Sequence, residues 1–103
     1  MPNLFEYVES VRSKNAGPFW LTVDIFCKDE DGFKSLSQLL ATQSVAERLK
    51  LPLAEIKRFD IDSLAVIKLS FPRPDIQGTI RDRDMHGAAM AVLIKEMLEE
   101  TEI

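Results

Sequence analysis

Cysteine and histidine are almost absent from this chain, with Cys27 and His86 the sole representatives. An intrachain disulfide is therefore excluded, and no cluster of Cys and His ligands can gather around zinc. Long apolar runs are missing too. The longest, residues 88–94, falls far short of the ~18 residues a membrane-crossing helix needs, and the first residues lack the basic-then-apolar pattern of an export signal. Positive charge is not in excess: 13 Lys and Arg stand against 17 Asp and Glu, a net charge of −4. That balance disfavours a broad footprint on a phosphate backbone. The expectation is a cytoplasmic protein with no metal, no cofactor, no membrane and no nucleic-acid partner.

What is present is enough for one core. The 103 residues are 46% hydrophobic, and they read as one α+β domain over residues 1–103, without internal repeats or low-complexity tracts. Residues 4–12 are rich in aromatic and β-branched side chains and predict a strand, and residues 13–18 (SKNAGP) predict a turn. Residues 19–27 alternate cleanly, with Phe19, Leu21, Val23, Ile25 and Cys27 on one face and Trp20, Thr22, Asp24 and Phe26 on the other. An acidic turn at residues 29–32 precedes a helix through residue 41. Ser44 and Glu47 have the spacing of a capping box for a second helical stretch ended by Pro52. Residues 56–61 and 64–71 predict two strands in a hairpin. After a loop over residues 72–84, Asp84 caps a last helix that buries Met90, Leu93, Ile94 and Met97 and frays at its glutamate-rich end. About four mostly antiparallel strands with helices on one face predict a ferredoxin-like two-layer sandwich.

Two groups of residues carry functional interest. Arg12, Ser13, Lys14, Asn15 and Gly17 place two cations and an amide at a strand end, where a turn could hold an anion such as a carboxylate. The plain alternative is a solvated turn in which Gly17 supplies a positive φ. Arg81, Asp82, Arg83, Asp84 and His86 alternate in charge, which suits an anion site or an acid and base pair built on His86 with Asp82 or Asp84. The plain alternative there is a salt-bridged surface. Asp24 is either a buried carboxylate that needs a donor from Lys14 or Arg12, or a wet residue on an open face that leaves Trp20 and Phe26 exposed. Calcium is discarded. Aligning Gly32 with the obligatory glycine of a calcium loop puts Cys27 at its first ligand position and Gln38 where a bidentate glutamate belongs. Cys27 itself reads as a core thiol.

Residues 12–26 (RSKNAGPFWLTVDIF), with 71–74 (FPRP) and 81–87 (RDRDMHG), resemble a family of small bacterial proteins, a domain of unknown function. That family looks related to the ferredoxin-fold domain of AtuA-type proteins of acyclic terpene utilisation. Arg12, Ser13, Lys14 and Gly17 are similar to an RSGDKG-like turn of the AtuA domain, from which Asn15 and Ala16 depart. The resemblance implies a small accessory subunit of a larger AtuA-like protein in organic-acid or acyl-CoA catabolism, contributing an anion-binding turn. Two other roles stay open: a stand-alone enzyme using His86 with Asp82 or Asp84, and a homo-oligomeric module that binds a carboxylate-bearing small molecule.

Overall fold

The computed structural model describes residues 2–17, 19–72 and 80–102, with residues 80–88 described as backbone only. A 3₁₀ turn, Leu4–Tyr7, opens the chain. Asn3 caps it in a reciprocal capping box with Glu6, so residues 4–7 are not the predicted strand. The first strand, β1, spans Val8–Asn15 and pairs antiparallel with β2 (Trp20–Cys27). Ser13, Lys14 and Asn15 therefore belong to the strand. The turn is shorter than predicted and is closed by the Ala16 N–H donating to the Trp20 carbonyl at 3.0 Å, with Gly17 at φ 88°. A β-bulge between Val8 and Ser10 slips the alternation by one residue. Val8 and Val11 thereby both turn toward the core, which simple parity assigned to opposite faces.

Helix α1 (Glu30–Leu39) starts where the Asp29 carboxylate accepts from the Gly32 N–H at 2.6 Å. Glycine suits this position, where a Cβ would stand 3.0 Å from that carboxylate and 3.3 Å from the Tyr7 carbonyl, tight enough that a neighbour would have to shift. Helix α2 (Thr42–Leu49) is entered from Ala41 with no side-chain cap, and Ser44 lies inside it. It ends before Pro52, with Lys50 in the left-handed conformation. Strands β3 (Lys57–Ile61) and β4 (Val66–Pro72) form the predicted hairpin, joined by a 3₁₀ turn at Asp62–Leu64 and a left-handed Ala65. Helix α3 (Ile80–Glu100) begins before Asp84, which is one of its residues and not its cap. The helical part of the predicted loop is thus residues 80–84, and residues 73–79 lie outside the described residues. The carboxyl end of α3 is tied down. Arg48 of α2 donates two hydrogen bonds to Glu100 at 2.6 and 3.3 Å, and the Leu4 N–H donates to the Thr101 carbonyl at 3.0 Å.

The strands form one antiparallel sheet in the order β1-β2-β4-β3. With the helices on one face, this is the expected α+β sandwich of two layers, ferredoxin-like in its layering and written ββααββα along the chain. Leu21, Val23 and Ile25 of β2 and Ile67, Leu69 and Phe71 of β4 are fully buried against Leu36, Val45, Ile94 and Leu98 of the helices. Apolar burial of this kind contributes about 1.5–3 kcal/mol per large side chain and fixes which sheet face the helices cover. The even-numbered residues of β2 and β4 are thereby sent to the opposite face.

Candidate functional site

The strand register sets out that opposite face row by row. Ser10, Phe26, Val66 and Ile61 form one row across the four strands, and Arg12, Asp24, Lys68 and Phe59 form the next. Lys14, Thr22, Ser70 and Lys57 form the third, with Trp20 and Pro72 at the end. Val66 is buried yet stands apart from the core cluster, so this face packs on its own. Phe59 is 50% exposed, and Trp20 and Phe26 are half-buried. Two cations lie over these rings: the Arg12 guanidinium 5.8 Å from the Phe26 centroid, and the Lys57 ammonium 5.1 Å from the Trp20 ring.

Asp24 sits in the middle of this arrangement with only 6% of its surface exposed. Its Oδ1 is buried and has no hydrogen-bond partner among the described residues. The cross-strand neighbours are Arg12 on one side and Lys68 on the other, but among the described residues neither makes an ion pair with it. A buried acceptor left without a donor costs about 1–3 kcal/mol. The two sequence readings of Asp24 are therefore both half right: it is buried, on an open face, with the donor missing. Nearby Lys14 is set opposite Thr22, not opposite Asp24.

The strand splits the residues expected to share one anion-binding turn. Arg12 and Lys14 share the open face with Asp24, whereas Ser13 and Asn15, opposite Val23 and Leu21, alternate to the helix side. Gly17 alone belongs to the turn. Residues 8–15 form an extended edge strand paired with β2, whose successive N–H groups point alternately toward and away from β2 and do not converge as an anion cradle. Arg81, Asp82, Arg83, Asp84 and His86 are in the first turns of α3, and their side chains lie outside the described residues.

A second polar cluster, which sequence reasoning missed, joins β3 to α1. Arg58 donates to Asp60 at 2.8 Å, to the Ser37 carbonyl at 2.9 Å, to the Thr42 hydroxyl at 3.2 Å, and to the Leu40 carbonyl. Ser37 Oγ donates to Asp60. Burial pushes the Asp60 carboxyl upward, but the hydrogen bonds from Arg58 and Ser37 and the Arg58 charge outweigh it and hold the group below its ordinary range. A carboxylate held this way is a fixed acceptor and a poor base. The shallow cavity of about 280 Å³ beside it is lined by Phe33, Lys34, Ser37, Gln38, Asp60 and Asp62, and its one hydroxyl hydrogen-bonded to a carboxylate, Ser37 on Asp60, faces a group that Arg58 already holds. Cys27 is no nucleophile either. Burial first, then the charges of Asp29 and Asp60, push its thiol up to about 11.

No residue of the open face betrays itself by type, since lysines, a serine and aromatics are ordinary strand contents. The signal that would have found Lys57, Phe59 and Lys68 is the pairing of β4 between β2 and β3. With that order, the polar members of each alternating strand fall into rows around Asp24.

Residues 4–97 match the family described as a domain of unknown function (DUF4387). The chain belongs to the DUF4387 family. The match takes in every strand of the open face and most of α3. No curated protein and no solved structure matches the chain. The family resemblance read from residues 12–26 is thus shown as far as a domain of unknown function, and no further.

Proposed function

We propose that this DUF4387 chain is a small, non-catalytic subunit that docks through the open face of its sheet onto a larger protein. The observation that carries this reading is the face itself. Trp20, Phe26 and Phe59 offer apolar area around a buried carboxylate whose acceptor is unmet, a combination that marks surfaces covered in an assembly.

Charge says what kind of surface covers it. Arg12, Lys14, Lys57 and Lys68 surround one carboxylate there, although the whole chain carries a net charge of −4. The face is the basic side of an acidic molecule. An apolar surface rimmed by Asp and Glu complements it, and a second copy of the same face does not. The larger chain is proposed to be AtuA-like and to act in organic-acid or acyl-CoA catabolism, on the strength of the resemblance at residues 12–17. The cations that were expected in an anion-binding turn then serve the joint from β1.

Co-expression with an AtuA-like large chain from the same genome, followed by size-exclusion chromatography, tests the reading. The two chains are expected to co-elute, and Phe59→Glu is expected to weaken the complex at least ~10-fold, as replacing an interface aromatic by a charge does. Phe59 is opposite Lys68 on an edge strand, so glutamate is tolerated by the fold. Separate elution of the wild-type chains would remove the proposal.

A further inference from the structure

Asp24 is the one buried charged side chain among the described residues, and none of them uses it. It faces away from the core and, among the described residues, makes no hydrogen bond through Oδ1 and no ion pair. Within the sheet a threonine or leucine would fill the same position without the cost of a desolvated carboxylate. The group that satisfies it must therefore come from outside the described residues.

The flanking residues select the chemistry of that group. Arg12 and Lys68 stand on either side of Asp24 in the register, so a third cation entering between them is repelled, whereas an uncharged donor is not. The same two cations leave an opening for a carboxylate beside that donor. Arg12 is exposed and, among the described residues, is held only by the Phe26 ring, an attachment weak enough for an incoming carboxylate to displace. Displacement uncovers Asp24 and the ring together. The two cavities described, beside α1 and β3 and beside the N-terminal 3₁₀ turn, are lined by none of these residues. A broad face crossing four strands suits a protein surface.

We infer that Asp24 is the anchor of the docked complex: Oδ1 accepts a hydrogen bond from a hydroxyl or amide of the partner protein, beside a partner carboxylate taken by Arg12 and Lys68. This inference rests on the docking reading above and adds the chemistry of its centre. It is tested with the large chain of the co-elution experiment, comparing wild type, Asp24→Leu, Asp24→Asn and Phe59→Glu. Asp24→Leu is expected to lose ~10–100-fold in affinity, the cost of a buried donor left unpaired, while its urea midpoint as a free chain stays level or rises. Asp24→Asn keeps an acceptor at Oδ1 and is expected to bind within about threefold of wild type.

Each contrary result removes a different part. Equal binding of wild type and Asp24→Leu, with Phe59→Glu impaired, overturns the anchor and leaves the docking face. Asp24→Asn as weak as Asp24→Leu overturns the uncharged donor. A free Asp24→Leu chain that is less stable than wild type assigns Asp24 to the fold. Full binding by all of the variants, or none by wild type, removes both the face and its anchor.

Discussion

A thiol at the end of an apolar strand face could in principle be a reactive group, and Cys27 shows why burial decides otherwise. It is 7% exposed, at the end of the row begun by Leu21. Burial and the charges of Asp29 and Asp60 raise its thiol to about 11 from an ordinary 9.0. Only the neutral thiol is compatible with that environment, so the thiolate fraction of the native chain near pH 8 is ~100-fold below that of the unfolded chain. The expected outcome is that an alkylating reagent at pH 8 labels Cys27 at the rate of unfolding and not faster. Immediate labelling of the folded chain would overturn the assignment. The sign for stability follows from the raised value: this contribution is complete below pH 9 and is lost as pH rises toward 11. Asp24 is the converse case. Its parity in β2 was legible in the sequence, but its burial was not, because burial comes from the neighbours that β1 and β4 place on either side.

Elements here are held at their ends by side chains from elsewhere. The last turn of α1 has no basic residue of its own, and Arg58 from β3 supplies donors to its Ser37 and Leu40 carbonyls, which the helix leaves unbonded. Replacing Arg58 by Met removes these donors and strands Asp60, at an expected cost of ~2–3 kcal/mol in urea unfolding. Because the folded state lowers the Asp60 carboxyl below its ordinary value of 3.8, the stability due to Asp60 is present above that value. It is lost as pH falls through the lower, folded one. The gap between wild type and Arg58→Met is therefore expected to narrow on acidification, and a gap constant down to pH ~2 would dissociate the loss from this pair. Sequence pattern reveals β2, the β3–β4 hairpin and the buried stripe of α3, since each rests on local period. It fails where a distant group acts. Ser44 has the spacing of a cap, yet α2 begins at Thr42 because the chain turns at Leu40 and Ala41, beside Arg58. The same failure made the end of α3 look loose: its glutamates oppose the helix dipole in isolation, but Arg48 and the N-terminal 3₁₀ turn receive that end.

At the scale of the molecule, the decisive step is the insertion of β4 between β2 and β3, which pairs residues as far apart as Trp20 and Pro72 and has no local signature. It converts four scattered cations into one basic face on a chain of net charge −4. The segregation has two consequences with opposite dependence on salt. Two copies meeting face to face set like charges against each other, so the isolated chain is expected to elute as a monomer at low ionic strength, where repulsion is least screened. Association with an acidic partner is steered by the same field. Its rate is expected to fall ~10-fold or more between about 20 and 500 mM salt, while dissociation, governed by Trp20, Phe26 and Phe59, changes little. Stopped-flow mixing with the large chain separates the two rates. A salt-independent association rate, or a dimer of the isolated chain that tightens as salt is lowered, would show that charge does not choose the occupant of this face, and a partner recognised by apolar shape alone would have to take its place.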